Sequence, residues 1–362
     1  GGGGHDHSGA EILECHSRDG GLTWSALEEA VVLQANVGKQ TVMNPSLLRL
    51  DTGELLCFVS VKHSIKDCGV WVKRSSDDGQ TWGDLKRLPY KGYGGVGCDR
   101  ALQISTGRIV LPAWLSMNGL GSTHAYCLYS DDRGHTWQKT ALVTTPTGST
   151  GRKTNPAAEE PMVIELRDGR LMMFMRTYLK SIYRSFSADG GETWSKPESS
   201  GIPSPGSMST IKRLPTGDIL LLWNWARLPD ISGPWPRIFM SSAISTDEGK
   251  NFSSVRHLDG AADFPGKITM ANVTFSGGNA IITYSKSMTK KNAYNWRLQV
   301  VPIKWFYEGD MTLTYGENYR PELNAFLGGK GPAEAAPATR IPRPAPPDRA
   351  AALAKVSGDV AP

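Results

Sequence analysis

Two adjacent glutamates, Glu159 and Glu160, stand ahead of Arg176, which follows Glu160 by sixteen residues (176−160). A carboxylate can accept a proton, and a planar guanidinium grips an anion through paired N–H donors. Comparable groups recur along the chain. Asn44 precedes Lys62 and His63, Asp99 and Arg100 precede Trp114, Ser207 and Ser209 precede Trp223 and Asn224, and Met270 and Asn272 precede Tyr284. Polar and aromatic groups of these types, collected at one mouth, suit an anionic sugar. Spacing alone equally fits a Glu160–Arg176 salt bridge tying two neighbouring strands.

The elements that must gather these residues are hairpins. Apolar runs flank a glycine turn at Gly53, Gly107, Gly169 and Gly217, and again at Gly277-Gly278. Such runs read as β-hairpins, and their density in Leu, Ile, Val and Met predicts strands packed between neighbouring sheets. Residues ahead of each first strand and just past each second strand return to the rim opposite the turn. The groups above therefore converge.

A second repeat runs out of phase with the first. S-x-D-x-G-x-T-W occurs at Ser17–Trp24, Ser75–Trp82, Ser130–Trp137 and Ser187–Trp194, and in altered form at Ser245–Phe252. The serines step by 58, 55, 57 and 58 residues (75−17, 130−75, 187−130, 245−187). An Asp or Ser side chain can bond amides just downstream, and Gly permits a positive φ. The closing Trp offers an apolar body that can wedge against a neighbouring sheet. Each copy is expected to be a turn between two outer strands, a structural staple and not a catalytic motif. A period of this length marks a repeated supersecondary unit.

Together the repeats predict an all-β fold, a six-bladed β-propeller of four-stranded antiparallel blades over residues 1–327. The first box lacks a preceding hairpin, so the first blade is expected to be truncated at the N-terminus, in a chain that begins with Gly1. Trp296 to Phe306 reads as a further strand. From about Gly328 the sequence turns to Ala and Pro, and residues 328–362 are expected to be a disordered tail.

The net charge is +5. The tail holds Lys330, Arg340, Arg343, Arg349 and Lys355 against Glu334, Asp348 and Asp359, a surplus of two. The remaining +3 is too little to argue for nucleic acid. Five cysteines (15, 57, 68, 98, 127) are scattered and show no metal spacing, and no apolar stretch is long enough to span a bilayer.

The boxes, the hairpin phase and the segment Glu159-Glu160-Pro161 through Met175-Arg176 resemble the sialidase (neuraminidase) superfamily, BNR-repeat branch, over roughly residues 1 to 310. The resemblance implies removal of a terminal sialic acid from glycans, with no metal or cofactor. It implies three arginines on the substrate carboxylate, a Tyr nucleophile activated by a Glu, and an Asp acid/base. Glu160 resembles the activating Glu, Arg176 the second arginine and Arg237 the third. Asp6 sits where the family places its acid/base. Asn44, Asp99, Arg100, Trp114, Trp223 and Tyr284 complete the expected substrate-binding rim. The substrate class favours a secreted or periplasmic protein.

The carboxylate of sialic acid lies on the anomeric carbon, so guanidiniums suit it and a carboxylate nucleophile would be repelled. Sialidases use Tyr instead. Here the strand Lys267–Val273 has no Tyr where that nucleophile is expected. Tyr284, on the partner strand, is expected either at the same rim or as a packed aromatic. Asn44 stands where many members carry Asp. These departures leave open a carbohydrate-binding propeller without catalysis, or a lyase or hydrolase of uronate-containing polysaccharide, with His63 the candidate base.

Overall fold

A computed structural model describes residues 9–26, 31–34, 37–89, 92–117, 122–146, 157–225, 237–261, 264, 266–288, 294–311 and 313. Asp6 and the 328–362 tail lie outside the described residues. The described residues are all-β apart from one 3-10 turn at Ile303–Tyr307.

The first sheet pairs β1 (Ile12–Glu14) with β2 (Val31–Gln34). The second unit runs β3 (Thr41–Arg49), β4 (Leu55–Ser64), β5 (Asp67–Ser75) and β6 (Lys86–Arg87). After β7 (Tyr93–Gly95), the third runs β8 (Leu102–Gln103), β9 (Ile109–Met117), β10 (Ser122–Ser130) and β11 (Gln138–Lys139). The fourth comprises β12 (Glu159–Glu165), β13 (Leu171–Arg176), β14 (Ser181–Ser187) and β15 (Glu198–Pro203). The fifth comprises β16 (Thr210–Arg213), β17 (Ile219–Trp223), β18 (Phe239–Ser245) and β19 (Ser253–Gly260). The last holds β20 (Gly266–Ser276), β21 (Asn279–Met288) and β22 (Tyr294–Pro302).

Consecutive strands within each unit pair antiparallel, so each is an up-and-down meander. Among the described strands two sheets are four-stranded, as expected, and three depart from four: the first has two strands, the last has three, and one has nine. β7 bonds β5 in parallel at Cys68↔Tyr93 and β9 antiparallel, which fuses the second and third units into one nine-stranded sheet. The expected strand over Trp296–Phe306 ends at Pro302 and continues as the 3-10 turn. Proline lacks the N–H that would carry the ladder further.

The aliphatic density of the middle strands follows from burial on both faces. In a strand, alternate residues face opposite sides. Leu56 and Phe58 of β4 join a core with Ile109 and Leu111, while Cys57, Val59 and Val61 join another with Ile12. Met172 and Phe174 of β13 pack with Leu221 and Trp223, while Leu171, Met173 and Met175 pack with Val110. Leu220 and Leu222 meet Ala280 and Ile282 of β21. Each middle strand thus divides its side chains between two successive cores, and the sheets stack face to face in chain order.

The octapeptides link third to outer strands, as expected. In all five the box glycine N–H donates to the serine Oγ at 2.7–2.9 Å. The aspartate accepts the N–H of the Thr, or of Asn251, at 2.8–3.0 Å. The box glycines have φ between 77° and 93°. They also touch the preceding sheet: a methyl added at Gly134 would fall 3.0 Å from Leu56 Cδ1, and at Gly249 2.5 Å from Met172 Cε. The closing aromatics follow the same rule. Trp137 lies edge-on to Phe58 at 5.5 Å, and Phe252 meets Phe174 at 6.2 Å.

Candidate active site

The boxes and glycine hairpins share one rim; the other rim carries a different repeated device. Asn44 (φ 57°), Asp99 (54°), Glu160 (45°) and Met270 (59°) are all left-handed. Three of them sit at register shifts, between Met43 and Ser46, Glu159 and Met162, and Thr269 and Asn272. An extra residue in one strand of a pair re-aims its side chain, and a left-handed non-glycine residue carries local strain that neighbours must hold. Proline follows Asn44 and Glu160, where no N–H is lost to the ladder.

At the bulge of the fourth unit a compact charged cluster forms. Arg176 Nη1 donates to Glu160 Oε2 at 2.9 Å, and Arg176 Nε lies 3.5 Å from Glu159 Oε2. Arg176 Nη2 donates to Tyr178 Oη at 2.8 Å, and Tyr178 Oη donates to Glu159 Oε2 at 3.3 Å. Thr123 Oγ1 donates to Glu159 Oε1 at 3.2 Å. Arg237 Nη2 donates to the Gly206 carbonyl at 2.8 Å, and a methyl on Gly206 would stand 3.1 Å from Tyr178 Cδ1. Arg237 makes no ion pair with a carboxylate among the described residues.

The charges of this cluster are mutually felt. Burial would push the Glu160 carboxyl up, but Arg176, Arg100 and Arg237 outweigh it and hold it below the ordinary value. Burial likewise opposes the charge of Arg176, yet Glu160 and Glu159 fix its proton more firmly than usual. For Arg237, burial and then repulsion by Arg176 lower the pKa. One guanidinium is well matched, and its neighbour is short of negative charge.

The rest of the expected rim divides. Arg100 is wholly buried, its Nη1 donating to Ser209 O at 3.1 Å and facing Met162 Sδ, so it crosses from the third unit to the fifth inside the molecule. Its Nε and Nη2 have no hydrogen-bond partner among the described residues. Asp99 pairs with Lys212 Nζ at 2.8 Å. Asn44 Nδ2 donates to Val96 O at 3.0 Å, and Cys98 Sγ lies 3.9 Å from its Oδ1. Trp114, half-buried, sits edge-on to Tyr93 at 5.7 Å, beside Lys62 at 5.0 Å from the Tyr93 ring. His63 Nδ1 accepts the Lys39 N–H at 3.2 Å.

Trp223 and Tyr284 are not brought into this cluster. Trp223 is wholly buried, with its indole N–H on Pro203 O at 3.1 Å. Tyr284 donates to Asp259 Oδ2 at 2.7 Å and accepts from Gln299 Nε2 at 2.9 Å, toward the outer strands. Burial and the Asp259 carboxylate push its phenol up, away from phenolate. Both aromatics serve the core because their strands are packed on two faces. Tyr178 was not singled out from sequence, yet it lies two residues past Arg176 on the same rim. An aromatic hydroxyl just beyond a second strand is the signal that marks it.

Among the described residues no group of three His, Cys, Asp or Glu side chains could hold a metal ion, and no helix is long and apolar enough to cross a membrane.

Residues 17–295 match the model of the BNR repeat-like domain. The chain is 28% identical over 219 residues to the anhydrosialidase of Macrobdella decora, covering 59% of this chain and 24% of that protein. It is 25% identical over 210 residues to the sialidase of Micromonospora viridifaciens, covering 51% and 31%. The matched parts thus span less than a third of either relative's length. In fold it is similar to the intramolecular trans-sialidase of Ruminococcus gnavus, solved with oseltamivir carboxylate, with TM-score 0.66, 16% identity and coverage of 86% and 91%. It is also similar to the sialidase of Trypanosoma rangeli, solved with sialic acid, with TM-score 0.62, 16% identity and coverage of 83% and 51%. The sheet architecture, the five boxes and the family match converge on one assignment: the chain belongs to the BNR-repeat branch of the sialidase superfamily.

Proposed function

We propose that this chain is an exo-acting glycosidase that hydrolyses a terminal sialic acid, or a related acidic sugar, from glycans at the mouth of a closed six-bladed propeller. The observation that carries the reading is Arg237, a partly buried guanidinium held beside Arg176 without a carboxylate of its own among the described residues. Arg100, Arg176 and Arg237 against Glu159 and Glu160 leave one positive charge (3−2). A sugar carboxylate supplies the missing charge, and two neighbouring guanidiniums suit its two oxygens.

In this reading Arg176 and Arg237 hold the carboxylate, Glu160 accepts a proton, and Asp6 protonates the leaving oxygen. Asn44, Asp99 and Trp114 face the rest of the sugar, and Arg100 keeps Glu160 ionised from within. Trp223 and Tyr284 pack the core. Closure of the ring is supported by the first box: a methyl on Gly21 would fall 2.7 Å from Ile281 Cδ1 of β21, the relation other boxes have to their preceding sheets.

The test is hydrolysis of a fluorogenic sialoside by the full chain. Wild type is expected to release sialic acid, and Glu160→Gln and Arg176→Ala, confirmed folded, to lose at least about 10²-fold in kcat/KM. Turnover that ignores both substitutions would overturn the assignment. Met270, a thioether at the last sheet's bulge, favours one second reading, a carbohydrate-binding propeller. Tight binding of sialyl glycans with no turnover selects that reading.

A further inference from the structure

We propose that Tyr178 is the nucleophile of this site and that Glu159, in place of Glu160, is the carboxylate that accepts the proton, leaving Glu160 to hold Arg176 through their ion pair; the inference rests on the acidic-sugar reading above. Met270 occupies the bulge of the last sheet, and a thioether carries no proton to exchange and forms no stable glycosyl ester or ether. The attacking atom must then come from elsewhere on the rim, and a carboxylate is disfavoured against an anionic sugar. Tyr178 Oη is bound on one side by Arg176 Nη2 at 2.8 Å and on the other by Glu159 Oε2 at 3.3 Å. Its ring is half-buried, with the Arg176 guanidinium 5.4 Å from the ring centroid and Gly206 beneath Cδ1.

This location follows the substrate's own geometry. In sialic acids the carboxylate is attached directly to the anomeric carbon. A guanidinium that grips the carboxylate therefore sets that carbon one bond beyond, and a phenol bonded to the same guanidinium lies beside it. Near-attack separations of about 3–3.5 Å become reachable without moving the chain. Gly206 ties the arrangement to the second guanidinium, since its carbonyl accepts from Arg237 while its missing side chain admits the Tyr178 ring.

The step balances as a double displacement. Glu159 takes the phenol proton as Oη forms a bond to the anomeric carbon, and the glycosidic C–O bond breaks with a proton passing from the acid to the leaving oxygen. Water then gives its proton to that acid's conjugate base and attacks the same carbon. The sugar–tyrosine bond breaks, and Oη recovers its proton from Glu159. One water is consumed and no redox partner is required.

The experiment treats the full chain with a 2,3-difluoro derivative of sialic acid, in which fluoride leaves readily and the second step is slow, followed by peptide mass spectrometry. A sugar adduct on Tyr178 is expected. In steady state on a fluorogenic sialoside, Tyr178→Phe should lose on the order of 10³-fold or more in kcat with little change in KM. A purely structural clamp on Arg176 would instead raise KM and form no adduct. Wild-type turnover with the adduct elsewhere, with no adduct, or with Tyr178→Phe equally active overturns this proposal alone. A wild type that neither turns over nor binds sialosides overturns it together with the reading it rests on.

Discussion

At one rim five octapeptides repeat the same side chains and the same bonds; at the other, Asn44, Asp99, Glu160 and Met270 repeat one backbone conformation with four different side chains. The first rim has one mechanical task, to join each outer loop to the sheet before it, and the same residues serve every time. The second, under the proposed function, has a chemical task that differs from one sheet to the next. There the fold supplies a left-handed bulge that aims a side chain at the mouth, and the sequence chooses what is aimed. Repetition of residues marks scaffold, whereas repetition of geometry with changing residues marks the site.

The comparison breaks most sharply at Arg237. Arg237→Met should lower kcat/KM on a sialoside by about 10²–10³-fold. It should not lower the melting temperature, because it removes a buried charge that Arg176 repels. An unchanged kcat/KM would move the site away from this bulge. At the opposite rim the expectation reverses. Gly249→Ala meets both a φ of 77° and Met172 Cε, and should cost about 1–3 kcal/mol of stability while leaving kcat and KM intact below the melting transition. A box variant that melts normally but loses turnover would erase the distinction between the rims.

The smallest effect belongs to single box carboxylates. Bonds from the Thr23 and Thr81 side chains hold Asp19 and Asp77 down to about 2. A depressed carboxylate contributes stability above its unfolded pKa, about 3.9, and loses it as pH falls toward 2. The melting temperature should therefore decline from about pH 4 toward pH 2, with Asp77→Asn removing one small share of that decline. A decline identical in Asp77→Asn would show that other carboxylates govern it.

Much of this was legible from residue order. The box bonds follow from short Asp and Ser side chains and a glycine, all within eight residues, so local chemistry decides them. The hairpins at Gly53, Gly107, Gly169 and Gly217 are equally local. Glu160 and Arg176 were legible because antiparallel pairing returns the second strand to the start of the first. What escaped depends on contacts distant in sequence. Trp223 and Tyr284 emerge at the right rim by counting, yet face inward because neighbouring sheets cover both faces of their strands. Arg100 was read as rim and is core, since Gly97, Met162 and Ser209 open a passage for its guanidinium. β7 lies between units and obeys no repeat.

That short strand gives the stack of sheets two kinds of seam. Where β7 runs, main-chain bonds cross from one unit to the next, and the pair cannot hinge without rupturing a ladder. From the fourth unit onward, among the described residues, no strand bridges neighbouring sheets, and main-chain contact between units falls to isolated bonds such as Ile268 N–H to the Arg237 carbonyl at 2.7 Å. The side bearing Asn44 and Asp99 is therefore the stiffer one, and under the proposed function any breathing that admits a bulky aglycone falls to the side bearing Glu160, Tyr178 and Arg237.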